Sequence, residues 1–178
     1  MTLRRSALAA AAAILVVGCG GFDAGASVRP SARPPAASPA GSPVADPVRA
    51  ALFGALGARN LIVAESSIPY RPAEAQALAA APRTVYQVTL PAEPDRGFVV
   101  VYRFDGDAAA SAAAEAQRSY LSSGPGRVQT PLGTEHVIRQ LQSSVVYYHW
   151  LPAAAVDPAT PRIAEALREL GTSFDVTS

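Results

Sequence analysis

The sequence predicts an α+β fold, with an antiparallel sheet of about four to five strands and helices packed mainly on one face. Three observations predict it. Short runs rich in β-branched and aromatic residues, such as 84–90 and 97–104, have the composition of strands. Alanine-rich stretches that open on Pro or Asp and close on Gly or Pro alternate with them, and read as helices. Runs that follow one another directly are joined by turn formers, which suits antiparallel pairing.

The elements follow in order. Residues 48–56 form a helix with Pro47 at its start and Gly57 just past its end. Residues 61–68 alternate weakly and read as a strand. Residues 72–81 are a short alanine-rich helix that opens on Pro72 and is stopped by Pro82. Strands 84–90 and 97–104 make a hairpin across Pro91-Ala92-Glu93-Pro94-Asp95-Arg96, a segment of turn formers that should be exposed. The second of these is the more central strand, because it is apolar on both faces. Asp107 is placed to cap a helix over 108–122, which Gly124-Pro125-Gly126 ends. Strands 135–141 and 144–151 meet at a tight turn on Gln142-Ser143. Asp157-Pro158 then caps a helix over 159–170, with Ile163, Leu167 and Leu170 on one face and Gly171 closing it.

This order resembles the split βαβ arrangement of ferredoxin-like folds, with an extra strand and a C-terminal helix added. The resemblance is to a fold that hosts many activities, so it implies no function.

The N-terminus carries the most specific motif. Met1-Thr2-Leu3-Arg4-Arg5 is basic, residues 6–17 are apolar, and Val16-Val17-Gly18-Cys19 ends the run on a small residue and the only cysteine. That is the layout of a cleaved export signal. The apolar run is short of the roughly 20 residues that a spanning helix needs. The motif resembles the lipobox of bacterial lipoprotein precursors. The resemblance implies a signal peptide over 1–18 and a lipidated Cys19 that anchors the chain to a membrane, since two acyl chains suffice for stable attachment. Residues 19–47 then form a linker of Ala, Ser, Gly and Pro that cannot bury enough apolar surface to fold. It would span about 30 Å as a coil and roughly 85 Å as a polyproline-like chain. Residues 48–178 form one globular domain. The expected location is the outer face of the bacterial cell membrane or the periplasmic side of the envelope.

Composition bounds the chemistry. The chain has 178 residues, is 49% hydrophobic and has a formal net charge of +1. Its Lys and Arg positions are all arginine and after the signal are spaced singly, which excludes a nucleic-acid surface built on clustered charge. A lone cysteine used for lipid leaves no disulfide and no thiol nucleophile. With no lysine, a Ser-x-x-Lys centre is impossible, and no Gly-x-Ser-x-Gly or phosphate-binding glycine loop occurs. Asp105-Gly106-Asp107 opens like a calcium loop but lacks the later ligands, and helix capping accounts for it. Glu93 and Asp95 sit in the turn expected to be solvated. No cofactor is implied.

Two groups of candidate site residues remain. With the turn centred on Gln142-Ser143, His136 faces His149 across the hairpin. Cross-strand Cβ atoms lie about 5 Å apart, so the pair could hold a metal with Glu135 or another carboxylate. The alternative is two half-buried structural histidines. Tyr86, Tyr102, Tyr147, Tyr148 and Trp150 all fall in expected strands. If one sheet face is bare, they could line it and bind an apolar or carbohydrate ligand or a protein; they could equally fill the core. The leading expectation is therefore a membrane-anchored envelope lipoprotein with a non-enzymatic binding or interaction domain. The alternatives are an envelope enzyme or metal-binding protein using His136 and His149, and a carrier of lipid or a small molecule.

Overall fold

Strand alternation sets this architecture, because the central strands carry large apolar side chains at both parities. The computed structural model describes residues 46–176, all within the unit Ser42–Ser178. Cys19, the signal stretch and the linker as far as residue 45 lie outside the described residues. The elements are α1 (Pro47–Ala58), β1 (Val63–Glu65), α2 (Gln76–Ala80), β2 (Arg83–Val88), β3 (Phe98–Arg103), α3 (Asp107–Ser122), α4 (Gly124–Arg127), β4 (Glu135–Leu141), β5 (Ser144–Trp150), α5 (Thr160–Arg168) and β6 (Thr172–Ser173). The fold is α+β. The strands form one open six-stranded sheet in the order β1-β2-β3-β5-β4-β6, with every neighbouring pair antiparallel.

Helices cover both faces, not mainly one. Val99 and Val101 of β3 and Val146 and Tyr148 of β5 pack with Leu52 and Leu56 of α1 and with Ile163 and Leu167 of α5. The alternate residues Val100, Tyr102, Val145 and Tyr147 pack with Leu78 of α2 and with Ala110, Ala113 and Ala114 of α3. A strand that is apolar on both sides requires two covers, since each apolar side chain left in water would forfeit about 1.5–3 kcal/mol. The small side chains of Ala110, Ala113 and Ala114 recur at helical spacing on the buried face of α3.

The topology is partly a split βαβ. β3 and β4 run parallel, joined through α3, with β5 inserted between them. β1 and β2, by contrast, are direct antiparallel neighbours, and β2 flanks β3 on its other side.

Several boundaries shift for local reasons. α2 starts at Gln76 because the buried Gln117 of α3 takes the preceding backbone: its Oε1 accepts from Ala75 N–H at 2.6 Å and its Nε2 donates to Ala73 C=O at 2.8 Å. Asp107 is the first residue of α3 and not its cap; Gly106 holds the cap position without a side-chain bond. The Asp107 carboxylate still lies in the first turn, where the helix dipole favours it. β6 has two residues, paired Gln140↔Thr172 and Arg139↔Ser173, too few to show any periodicity. At the other end Asp46 caps α1, its Oδ1 accepting from Val48 and Arg49 N–H at 3.1 and 3.2 Å.

Candidate functional site

β3 and β5 part company at one end. Their pairing runs from Arg103↔Ser144 to Val100↔Tyr147 and stops there, although β3 begins at Phe98 and β5 continues to Trp150. Gly97 makes the entry to β3 possible. Its φ is +79°, and a Cβ there would lie 2.7 Å from Val88 O, so a side chain is excluded by both conformation and space. The separated strand ends wall a cleft of about 280 Å³. Gly97 and Phe98 line one side, and Tyr148, His149, Trp150 and Leu151 the other. Tyr70, Pro131, Thr134 and Thr160 complete the walls, and Asp95 and Arg96 stand beside them.

A row of near-parallel rings backs the cleft. Tyr70 stacks on Phe98 with centroids 4.5 Å apart and planes 19° apart. The His149 ring lies 6.3 Å from Tyr70 at 17°, and His136 lies 6.1 Å from His149 at 30°. Tyr147 packs against both histidines, 6.1 Å from His136 at 12° and 5.8 Å from His149 at 21°. Such offset stacking gains more than the buried area alone.

The register expected from the Gln142-Ser143 turn is the register found: His136 pairs with His149. Both rings lie on the α2/α3 side of the sheet, and each bonds a tyrosine. Tyr70 Oη and His149 Nε2 are 2.6 Å apart, and Tyr147 Oη and His136 Nδ1 are 2.9 Å apart. Burial, with a smaller push from His149, lowers the His136 pKa to about 4; burial alone lowers that of His149. Burial and then Glu74 raise Tyr70 to about 12, and burial raises Tyr147 well above its ordinary value. At neutral pH both phenols are therefore protonated and both imidazoles neutral, each pair sharing one hydrogen bond. The cleft wall carries no histidine charge.

Among the described residues, no third His, Cys, Asp or Glu joins the two histidines to make a metal-ligand group. Glu135 does not join them. It lies one residue from His136 and so on the opposite face, where its carboxylate pairs with Arg168 at 2.7 Å.

The aromatic candidates divide between the two faces instead of lining one bare surface. Tyr86 and Tyr148 belong to the α1/α5 core, and Tyr102 and Tyr147 to the α2/α3 core, each no more than 2% exposed. Both faces are covered, so these rings mainly fill the interior. Tyr102 donates to Glu74 Oε1 at 2.6 Å. Tyr148 and Trp150 alone of the five reach the cleft. The Trp150 indole N–H is buried and has no hydrogen-bond partner among the described residues.

Glu93 corrects the reading of its turn as solvated. It is 6% exposed and accepts from Thr160 Oγ1 at 2.5 Å and from Asp157 N–H at 3.2 Å. Those bonds, the threonine first, hold its carboxyl below the usual range. The turn is thereby tied to the start of α5. Asp95 remains exposed, as expected.

Tyr70, Phe98 and Gly97 were not among the candidates read from sequence. Tyr70 is the one aromatic in the irregular stretch between β1 and α2, and the groups it meets are distant in sequence. Only the positive φ of Gly97 has a local trace, a glycine at the end of a hairpin turn. No protein-family model, curated protein or solved structure matches this chain.

Proposed function

We propose that this chain is a lipid-anchored envelope protein whose domain binds a small organic molecule in the cleft between the ends of β3 and β5. The carrying observation is the early end of β3–β5 pairing, next to Gly97 and Phe98, which leaves an aromatic-lined space at the end of a sheet covered on both faces. A volume of about 280 Å³ is near the lower bound of small-ligand sites, which begin at roughly 300 Å³. It suits one compact group better than a long acyl chain. The domain is read as a binding domain: the raised tyrosines and lowered histidines stay neutral at pH 7 and are hydrogen-bonded to one another.

The anchoring half of the proposal rests on Val16-Val17-Gly18-Cys19 and the proline-rich linker. Cys19→Ser is expected to abolish lipid labelling and signal cleavage; labelling that survives the change contradicts it. The cleft half is tested by the single tryptophan, Trp150, which borders the site. Titrating the full chain with a panel of small molecules (an indole, a monosaccharide, an aromatic acid, an organic cation and a short fatty acid) should give saturable change in its emission for at least one class. A flat response to all of them contradicts the proposal.

A further inference from the structure

We infer that the cleft selects a small organic cation, an alkylated ammonium group, over a neutral or anionic molecule. The inference rests on the cleft being a binding site and names the class of its ligand. Two features carry it. The first is the wall: Tyr70, Phe98, Tyr148 and Trp150 all line the space, and aromatic rings attract cations through the negative charge density of their faces.

The second feature is the charge at the lip. Asp95 and Arg96 line it there, and the buried Glu93 pairs with Arg96. Arg96 is fixed by its backbone, the N–H donating to Glu93 O at 3.0 Å and the C=O accepting from Gln87 Nε2 at 3.2 Å. Its Nε lies 3.5 Å from Glu93 Oε1, so Glu93 offsets its charge. Asp95 has no ion-pair or hydrogen-bond partner among the described residues and is exposed beside the cleft. One carboxylate is thus left over. On the inner wall His149 is uncharged at neutral pH and bonded to Tyr70, so no cation there opposes an incoming one. An ammonium with methyl substituents fits this setting, because it buries apolar surface and has no donor that the rings would leave unsatisfied.

The probes are tetramethylammonium, choline and the neutral isostere of choline, 3,3-dimethyl-1-butanol, titrated against the full chain with Trp150 emission as the readout. Choline should bind about tenfold tighter than its isostere, from cation–π attraction in a partly desolvated site. Asp95→Asn should narrow that preference severalfold, and Arg96→Gln should leave it equal or widen it. Vesicles distinguish the source of the cation. Phosphatidylcholine vesicles that compete with free choline assign it to a lipid headgroup; failure to compete assigns it to a soluble molecule. Equal or tighter binding of the isostere overturns the cation inference while leaving the cleft as a site. A response to no probe, with another molecule of the panel binding, also overturns it. A response to nothing at all overturns both.

Discussion

His136 shows how a single residue's surroundings determine its chemistry. Its ring packs against both Tyr147 and His149, is bonded through Nδ1, and is partly buried, and that burial takes its pKa down to about 4. The unfolded chain would titrate it near 6.5. Between these values the unfolded state binds the extra proton and the folded state does not, so acid favours unfolding there. The stability contributed by neutral His136 is therefore complete above about pH 6.5, declines as the pH falls toward 4, and changes no further below that. In a proton NMR titration the His136 ring signals should stay at their neutral positions down to pH 5. A midpoint near 6.5 contradicts the buried, tyrosine-bonded geometry. Glu93 works in the same sense at lower pH. Its lowered pKa means that its stabilising bonds persist above the ordinary carboxylate range and are lost as the pH falls through the folded value.

At the scale of elements, the sheet ends where its ladder fails. β3 carries two kinds of information: apolar residues on both faces that bind it into the sheet, and a glycine at its entry that lets the chain pass close to Val88 of β2. Gly97→Ala should cost about 1–3 kcal/mol, from the positive φ and the clash with Val88 O, and should disturb the cleft directly. Gly54→Ala, inside α1 with open space around its missing Cβ, should instead stabilise by about 0.5–1 kcal/mol. Denaturant midpoints of the two variants should move in opposite directions. The same contrast shows what was legible in the sequence. The β4–β5 hairpin was read to the residue, because a two-residue turn and a period of two leave one register, and β4 is Glu135–Leu141 as expected. The helix over α5 was legible from Ile163 and Leu167, and its buried face confirms them. The second helical layer was not foreseen, although the two-faced apolar pattern of β3 called for it. The cleft was not legible at all. It depends on where β3 and β5 stop pairing, and on Tyr70 reaching His149 from a segment with no periodicity of its own.

At the scale of the whole molecule, the described domain achieves its packing without a disulfide, through two cores on opposite faces of one sheet. Buried polar groups link these layers to the loops: Gln117 bonds the segment before α2, and Glu93 bonds the start of α5. The sheet's covered faces leave its open strand end as the place where a ligand can reach large aromatic side chains. On the proposed reading, a lipid at Cys19 and the proline-rich linker would hold this domain at a distance from the bilayer surface.

The central claim is that this strand end is a binding site, and one comparison tests it most directly. Trp150 emission is followed while the full chain and its Tyr70→Ala variant are titrated with the molecule that binds the parent, with circular dichroism confirming equal folding. Tyr70 closes the cleft and stacks on Phe98, so its loss should weaken binding at least about tenfold, the scale of one aromatic contact. Unchanged affinity in a folded Tyr70→Ala protein would contradict the account, because the ligand would then be held elsewhere.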